Sequence, residues 1–115
     1  MDTPKLSITR NGDDSPGPQV LHLVGPLVMS TTADFSQQLR AEPAQTVVLD
    51  FTEVPFIDSA GLGALVAAHV SSQKTMRRLA YAQMNTQVKA LIDMTHVSQI
   101  IKSYPTIKEA EAGLP

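Results

Sequence analysis

The chain has 115 residues, 9 basic and 11 acidic side chains, and a formal net charge of −2. This length predicts a single domain over residues 1–115, and the lack of excess positive charge argues against a nucleic-acid partner. Because the chain has no cysteine, disulfides, thiolate metal sites and cysteine catalysis are excluded. No apolar run approaches the roughly 20 residues that would span a membrane. Met1–Pro4 does not have the features of a signal peptide. We therefore expect a cytoplasmic protein that does not insert into membranes.

Hydrophobic periodicity predicts an alternation of strands and helices in the order β-β-α-β-α-β-α-β-α. The predicted strands cover residues 5–10, 20–24, 46–51, 79–84 and 100–104. The first three predicted helices follow the hydroxyl run 30–32, the Asp58-Ser59 pair and the capping residue Asn85, and the last covers residues 107–114. The first two strands would form an antiparallel hairpin around a long loop at 11–18. Right-handed crossovers between the later strands predict an α/β fold in which a mixed, mostly parallel five-stranded sheet carries its helices mainly on one face.

The stretch Val47–Val70 is the most informative part of the sequence. A β-branched apolar run is followed by a bend at Pro55 and then by an apolar pattern with helical spacing. Five residues share one helical face, which we expect to be buried: Leu62, Leu65, Val66, His69 and Val70. Small residues form the opposite face: Ala64, Ala67, Ala68 and Ser71. A strand thus leads through a turn into a helix, and the turn places Ser59 at the helix N-terminus.

Ser59 can be interpreted in two ways from local chemistry. The first turn of a helix has unpaired N–H groups and a partial positive charge, so a phosphate on Ser59 would be tolerated by its own helix. It would also add about −1.5 to −2 charges beside Asp58 and repel an acidic or apolar partner. The alternative is that Asp58 or Ser59 is only the N-cap of the helix, because Asp and Ser are both favoured there.

A catalytic or metal-binding role is not expected. His22 lies in an apolar strand with no second ligand at suitable spacing, so it should face outward or bond locally rather than bind a metal. A hydrolase would combine Ser59 with a histidine, but Asp58 adjoins Ser59 in sequence and no Gly-x-Ser-x-Gly nucleophile elbow is present. The sequence therefore predicts a non-enzymatic protein without a cofactor, although His22, His69 and His96 keep the hydrolase alternative open.

Three segments resemble one known family. Residues Asp50–Leu65 resemble the signature of the STAS family of bacterial anti-sigma factor antagonists. Asn85–Thr95 is similar to the third helix of that family, and Thr32-Ala33 is similar to the opening of its first helix. Together these segments extend the resemblance over almost the whole chain.

The resemblance implies a STAS fold and a phosphorylation switch. Family members bind an anti-sigma factor that is also a serine kinase with bound ATP, and the unphosphorylated form thereby releases the sigma factor. The kinase then phosphorylates the serine that matches Ser59, and a phosphatase reverses the modification. The residues expected to contact the partner are Met29, Ser30, Thr31, Asp58, Ala60, Gly61, Leu62 and Gly63. Two alternatives with the same fold remain: a scaffold subunit of a stress-signalling assembly and a regulator associated with a transporter.

The sequence also departs from the family pattern. Pro26 and Val28 stand where the family has acidic residues after its second strand, which implies weaker kinase contact or a divergent branch. His96 replaces the glycine that usually follows the third helix. A left-handed C-cap favours glycine, although His is among the residues that tolerate it. We therefore expect this helix to end differently, with His96 as a partly exposed capping residue.

Overall fold

Residues 3–10 and 17–114 are described by the structure, a computed structural model, and they contain five strands and four α-helices. The strands are β1 (Ser7–Arg10), β2 (Gln19–Val24), β3 (Thr46–Glu53), β4 (Arg78–Ala82) and β5 (Ser103–Tyr104). The helices are α1 (Thr32–Ala41), α2 (Ser59–Lys74), α3 (Thr86–Met94) and α4 (Ile107–Gly113), and Val97–Gln99 form a short 3-10 helix. The predicted element order is confirmed. Most of the predicted loop at 11–18 lies outside the described residues.

The five strands form one sheet in the order β1-β2-β3-β4-β5. β1 pairs with β2 in antiparallel orientation, and the other neighbours are parallel, so the predicted hairpin and mixed sheet are confirmed. The helices α1, α2 and α3 each connect two parallel neighbours. This arrangement brings the carboxyl ends of β2, β3 and β4 to one edge of the sheet, where the loops that lead into the three helices begin.

The two faces of the sheet are covered unequally. The main core lies under α1, α2 and α3, whose buried residues Phe35, Leu65 and Ile92 belong to one cluster with the inward side chains of the sheet. On the second face, Ala110 of α4 packs in a smaller cluster with residues of β2, β3 and β4. The prediction that the helices lie mainly on one face is therefore confirmed, and α4 is the exception. The handedness rule constrains connections between parallel strands, and α4 follows the last strand.

The buried face of α2 also differs from the prediction. The fully buried residues of this helix are Gly61, Ala64, Leu65 and Ser72, whereas Val70 is 43% exposed. Leu62 and Val66 are half-buried at the margin of the core. The inward face of α2 thus combines Leu65, buried as predicted, with the small residues Gly61 and Ala64, whereas Ala67 and Ser71 are exposed.

The last two strands end or begin differently from the prediction, and a residue with left-handed backbone precedes or follows each of these changes. Gln83 has a φ of 63°, and β4 ends one residue before it. His96 has a φ of 60°, so it adopts the left-handed conformation despite its side chain, and the expectation of a different helix end is wrong. The 3-10 helix that follows His96 includes residues 97–99 and limits β5 to Ser103–Tyr104.

Candidate functional site

Ser59 is the first residue of α2 and is exposed to solvent. The helix is capped by the preceding residue, because Asp58 Oδ1 accepts a hydrogen bond from the Gly61 N–H at 2.8 Å. That bond, with the weaker one from Met29, holds the pKa of Asp58 below its ordinary value. The capping role therefore belongs to Asp58, and the exposed Ser59 hydroxyl lies beside the partial positive charge of the helix N-terminus.

Hydrogen bonds join the loop after β2 to the loop after β3. Asp58 Oδ2 accepts from the Met29 N–H at 3.1 Å, and the Asp58 N–H donates to the Leu27 carbonyl at 3.3 Å. The Leu27 N–H donates to the Phe56 carbonyl at 3.2 Å, and Leu27 forms an isolated parallel bridge with Ile57. The structure thus brings the predicted residues Met29 and Asp58 together, and it does so through a small extra pairing beyond the ends of the strands.

The two glycines at the start of α2 have different surroundings. A Cβ atom on Gly61 would lie 2.0 Å from the Leu27 carbonyl oxygen, whereas a Cβ on Gly63 would meet nothing within 4 Å. Gly61 is buried and Gly63 is exposed. Gly61 is therefore required for the contact between the two loops, and Gly63 leaves the backbone of the first turn open on the surface.

The turn before α1 is held by a buried threonine. Thr31 is fully buried, its hydroxyl donates to the Pro26 carbonyl at 2.9 Å, and the hydroxyl oxygen accepts from the Val28 N–H at 2.9 Å. Thr31 was expected at the partner surface, but its side chain lies beneath that surface and supports the loop. Its neighbours differ, since Ser30 is exposed and Met29 is 76% exposed.

Phe56 was not identified from the sequence as a site residue. It is 49% exposed, and its backbone carbonyl belongs to the pairing that joins the two loops. A signal was present, because an aromatic residue directly after Pro55 lies outside both the strand alternation and the helical pattern. We use the term docking surface for the exposed residues of the two loops and the first turn of α2: Met29, Ser30, Phe56, Ser59 and Gly63.

A polar cluster lies on the second face of the sheet, at the carboxyl ends of the strands. Asp50 is buried, and its Oδ2 lies 2.6 Å from Nδ1 of His22, whose side chain is 34% exposed. Asp50 Oδ1 accepts from the Thr52 hydroxyl at 2.6 Å and from Gln83 Nε2 at 2.8 Å. His22 is partly exposed, as expected, but its bond is to a residue on the neighbouring strand and not a local one.

Asp58 and His22, two of the residues considered for a hydrolytic triad, are hydrogen-bonded to groups other than each other and Ser59. Both Asp58 oxygens accept backbone N–H groups, and His22 pairs with Asp50. A cavity of about 370 Å³ lies between α1 and α2, and its lining includes neither Ser59 nor a histidine. Within residues 3–10 and 17–114, no three His, Asp or Glu side chains are grouped so that they could hold a metal ion. None of the helices in these two ranges has the length and apolar character needed to cross a membrane.

A family model of the STAS domain matches residues 10–110. The chain belongs to the STAS family. An anti-sigma factor antagonist from Mycobacterium paratuberculosis has a similar structure, with a TM-score of 0.74 and 23% identity over 94% of each chain. The Bacillus cell fate determinant SpoIIAA in its phosphorylated form is similar at a TM-score of 0.60 and 16% identity, over 90% of this chain and 96% of that one.

The same STAS fold occurs within a much longer protein. The murine anion transporter Slc26a9 is similar at a TM-score of 0.76 and 19% identity, over 94% of this chain but only 22% of the transporter chain. At these levels of identity, the similarities establish the fold that this STAS chain shares with the three proteins. They do not identify its partner.

Proposed function

We propose that this STAS chain is an anti-sigma factor antagonist that binds an anti-sigma factor serine kinase and is released when Ser59 is phosphorylated. The observation that carries the proposal is the exposed Ser59 hydroxyl at the N-terminus of α2, with the adjacent Asp58 already serving as the cap. Ser59 is therefore available for modification without loss of the helix cap. The similarity to antagonists, one of them in a phosphorylated form, supports the same assignment.

The exposed apolar residues of the docking surface support a protein partner. Met29 and Phe56 are among the large hydrophobic side chains that remain exposed, and both lie in loops next to Ser59. Apolar and aromatic side chains are typical anchors in the centre of protein interfaces. A neutral serine hydroxyl can be accommodated in such an interface, whereas an unpaired buried phosphate would reduce affinity by about 100-fold or more.

The phosphoryl transfer requires ATP as the donor, supplied by the kinase. The Ser59 Oγ forms a bond to the γ-phosphorus, the bond from that phosphorus to the β–γ bridging oxygen breaks, and ADP leaves. The hydroxyl proton passes to a base of the kinase. A phosphatase restores the hydroxyl by hydrolysis and releases inorganic phosphate. This chain supplies the acceptor oxygen in the first reaction and the phosphoserine in the second.

A purified anti-sigma factor serine kinase with Mg-ATP tests the proposal. We expect intact mass to increase by one phosphate in the natural sequence and in Ser98→Ala, a control at an exposed serine outside the docking surface. Ser59→Ala should remain unmodified. Retention of the phosphate in Ser59→Ala, or undiminished kinase affinity after phosphorylation, would contradict the proposed switch.

The alternative functions predict different behaviour. A scaffold subunit of a stress-signalling assembly would form a large regular oligomer, which light scattering would detect. A transporter-associated regulator would bind a transporter domain, and the similarity to part of Slc26a9 makes that a reasonable second candidate. The non-acidic residues Pro26 and Val28 fit either a divergent antagonist or one of these alternatives.

A further inference from the structure

Asp58 uses its two carboxylate oxygens for two different tasks. Oδ1 accepts from the Gly61 N–H at 2.8 Å and caps α2, whereas Oδ2 accepts from the Met29 N–H at 3.1 Å. The second bond spans the two loops and joins residues that are 29 positions apart in sequence. The docking surface has two large apolar side chains, and Met29 is more exposed than Phe56. The Asp58 side chain therefore links the first turn of α2 to the backbone of the exposed apolar residue Met29.

We propose that Asp58 is a positioning residue that holds Met29 in the docking surface, and that a phosphate on Ser59 releases Met29 by displacing the Asp58 carboxylate. This inference rests on the proposed function of Ser59, and it adds a route by which the modification changes the shape of the surface as well as its charge. Direct repulsion of the partner and release of Met29 would then act together.

The physical basis is competition at a single helix end. The phosphate would bring about −1.5 to −2 charges to the residue adjacent to the Asp58 carboxylate, and like charges this close repel each other. Its oxygens would also accept from the free N–H groups of the first turn, which attract any anion at that position. Of the hydrogen bonds that the Asp58 carboxylate oxygens accept from Gly61 and Met29, the one from Met29 is the longer, and it lies between loops and not within the helix. We therefore expect this bond to break first.

The remaining links between the loops do not depend on the Asp58 side chain. The Leu27 N–H donates to the Phe56 carbonyl, and the Leu27 carbonyl accepts from the backbone N–H of Asp58. These bonds join backbone atoms below the docking surface. Displacement of the carboxylate should therefore move Met29 and leave Leu27 and Phe56 in place, so the Leu27 amide, which donates to Phe56, can serve as an internal reference.

The substitution Asp58→Asn should remove the hydrogen bond from Met29 and keep the N-cap of α2. Asn is as good an N-cap as Asp, so Asp58→Asn retains an acceptor oxygen for the Gly61 N–H. Its amide group is a donor and cannot accept from Met29. Thr106→Ala is a suitable control, because it removes the side-chain cap of α4 and makes no change at the docking surface.

The test uses amide NMR on the full chain with phosphoserine incorporated at position 59 during synthesis, so no kinase is needed. We expect the Met29 amide to exchange with solvent about tenfold faster after phosphorylation, because a hydrogen bond to a charged group has been lost. Asp58→Asn without phosphate should produce a similar increase at Met29, and phosphate should then add little. The Leu27 amide should change little in either protein, and Thr106→Ala should leave Met29 unaffected.

Two results would overturn the inference. One is an unchanged Met29 amide in the phosphorylated protein. The other is a phosphate effect on Met29 that is equally large in Asp58→Asn, because Asp58 would then not transmit it. Since the phosphoserine is introduced without a kinase, failure of the proposed function is seen separately, as absence of Ser59 modification by the kinase.

Discussion

Nδ1 of His22 lies 2.6 Å from Oδ2 of Asp50, across the parallel pairing of β2 and β3. Burial alone would raise the pKa of the Asp50 carboxyl, but hydrogen bonds from Thr52, Gln83 and His22 outweigh it and lower the pKa from its ordinary value of 3.8. The ionised carboxylate is thus the form that the fold stabilises, although Asp50 itself is buried.

The first prediction concerns acid stability. Because the pKa of Asp50 is lower in the folded than in the unfolded protein, its contribution is present above about pH 4 and is lost as pH falls through the folded-state pKa. Asp50→Asn should reduce the free energy of unfolding at pH 7 by about 2–3 kcal/mol, since hydrogen bonds to a charge are lost. Denaturant unfolding between pH 3 and pH 7 measures this quantity. The free energy of unfolding should depend less on pH in Asp50→Asn than in the natural sequence or in Asp93→Asn, a control at an exposed position. If the free energy of unfolding fell equally with pH in the natural sequence, Asp50→Asn and Asp93→Asn, the prediction would be contradicted.

The second prediction compares the two glycines of α2. Gly61→Ala should lower the free energy of unfolding by about 1–3 kcal/mol, because the added methyl group meets the Leu27 carbonyl. Gly63→Ala should raise it by about 0.5–1 kcal/mol, because the added methyl meets open space and alanine favours the helix. Thermal unfolding measures both changes, and destabilisation of similar size by both substitutions would be inconsistent with the described contacts.

The third prediction separates folding from binding at Ser59. Ser59→Asp should stabilise the protein slightly, by about 0.3–1 kcal/mol, because negative charge is favourable in the first turn of a helix. The same substitution should weaken binding to the kinase by about tenfold or more, whereas Ser59→Ala should bind as tightly as the natural sequence. Calorimetric titration and denaturant unfolding give the two quantities. Equal affinity of the three proteins would argue against charge as the signal.

The fourth prediction concerns the left-handed residue after α3. His96 adopts a φ of 60°, a conformation that is unfavourable for a residue with a Cβ. His96→Gly should therefore raise the free energy of unfolding by about 0.5–1 kcal/mol. Lys89→Gly, at an exposed position within α3, should lower it by a similar amount. A decrease in both variants would indicate that His96 makes stabilising contacts that outweigh its backbone strain.

The element order could be predicted from the sequence because each element has a clear local period. The antiparallel hairpin and the helix start at Ser59 both follow from residues close together in the chain. The prediction was wrong where local pattern was a poor guide to packing. Helix α2 has apolar residues around much of its circumference, so its spacing alone did not show that Gly61 and Ala64 face inward.

The polar cluster and the link to Met29 depend on long-range geometry. The pairing of His22 with Asp50 requires the register of β2 against β3, which no single strand reveals. Similarly, the contact of Met29 with Asp58 arises where two loops leave neighbouring strands, and the exposure of Phe56 follows from the same pairing. The candidate acceptor Ser59 could be predicted because the strand, the turn and the helix that surround it are contiguous in sequence.

The antiparallel pairing of β1 with β2 has a practical consequence for reporter design. Arg10 ends β1 and Gln19 begins β2 at the edge of the sheet opposite the loop that carries Ser59. A fluorescent protein inserted between these two strands would therefore be attached at the far side of the molecule from the docking surface. Such a fusion would allow this STAS protein to be followed in living cells while Ser59 remains accessible.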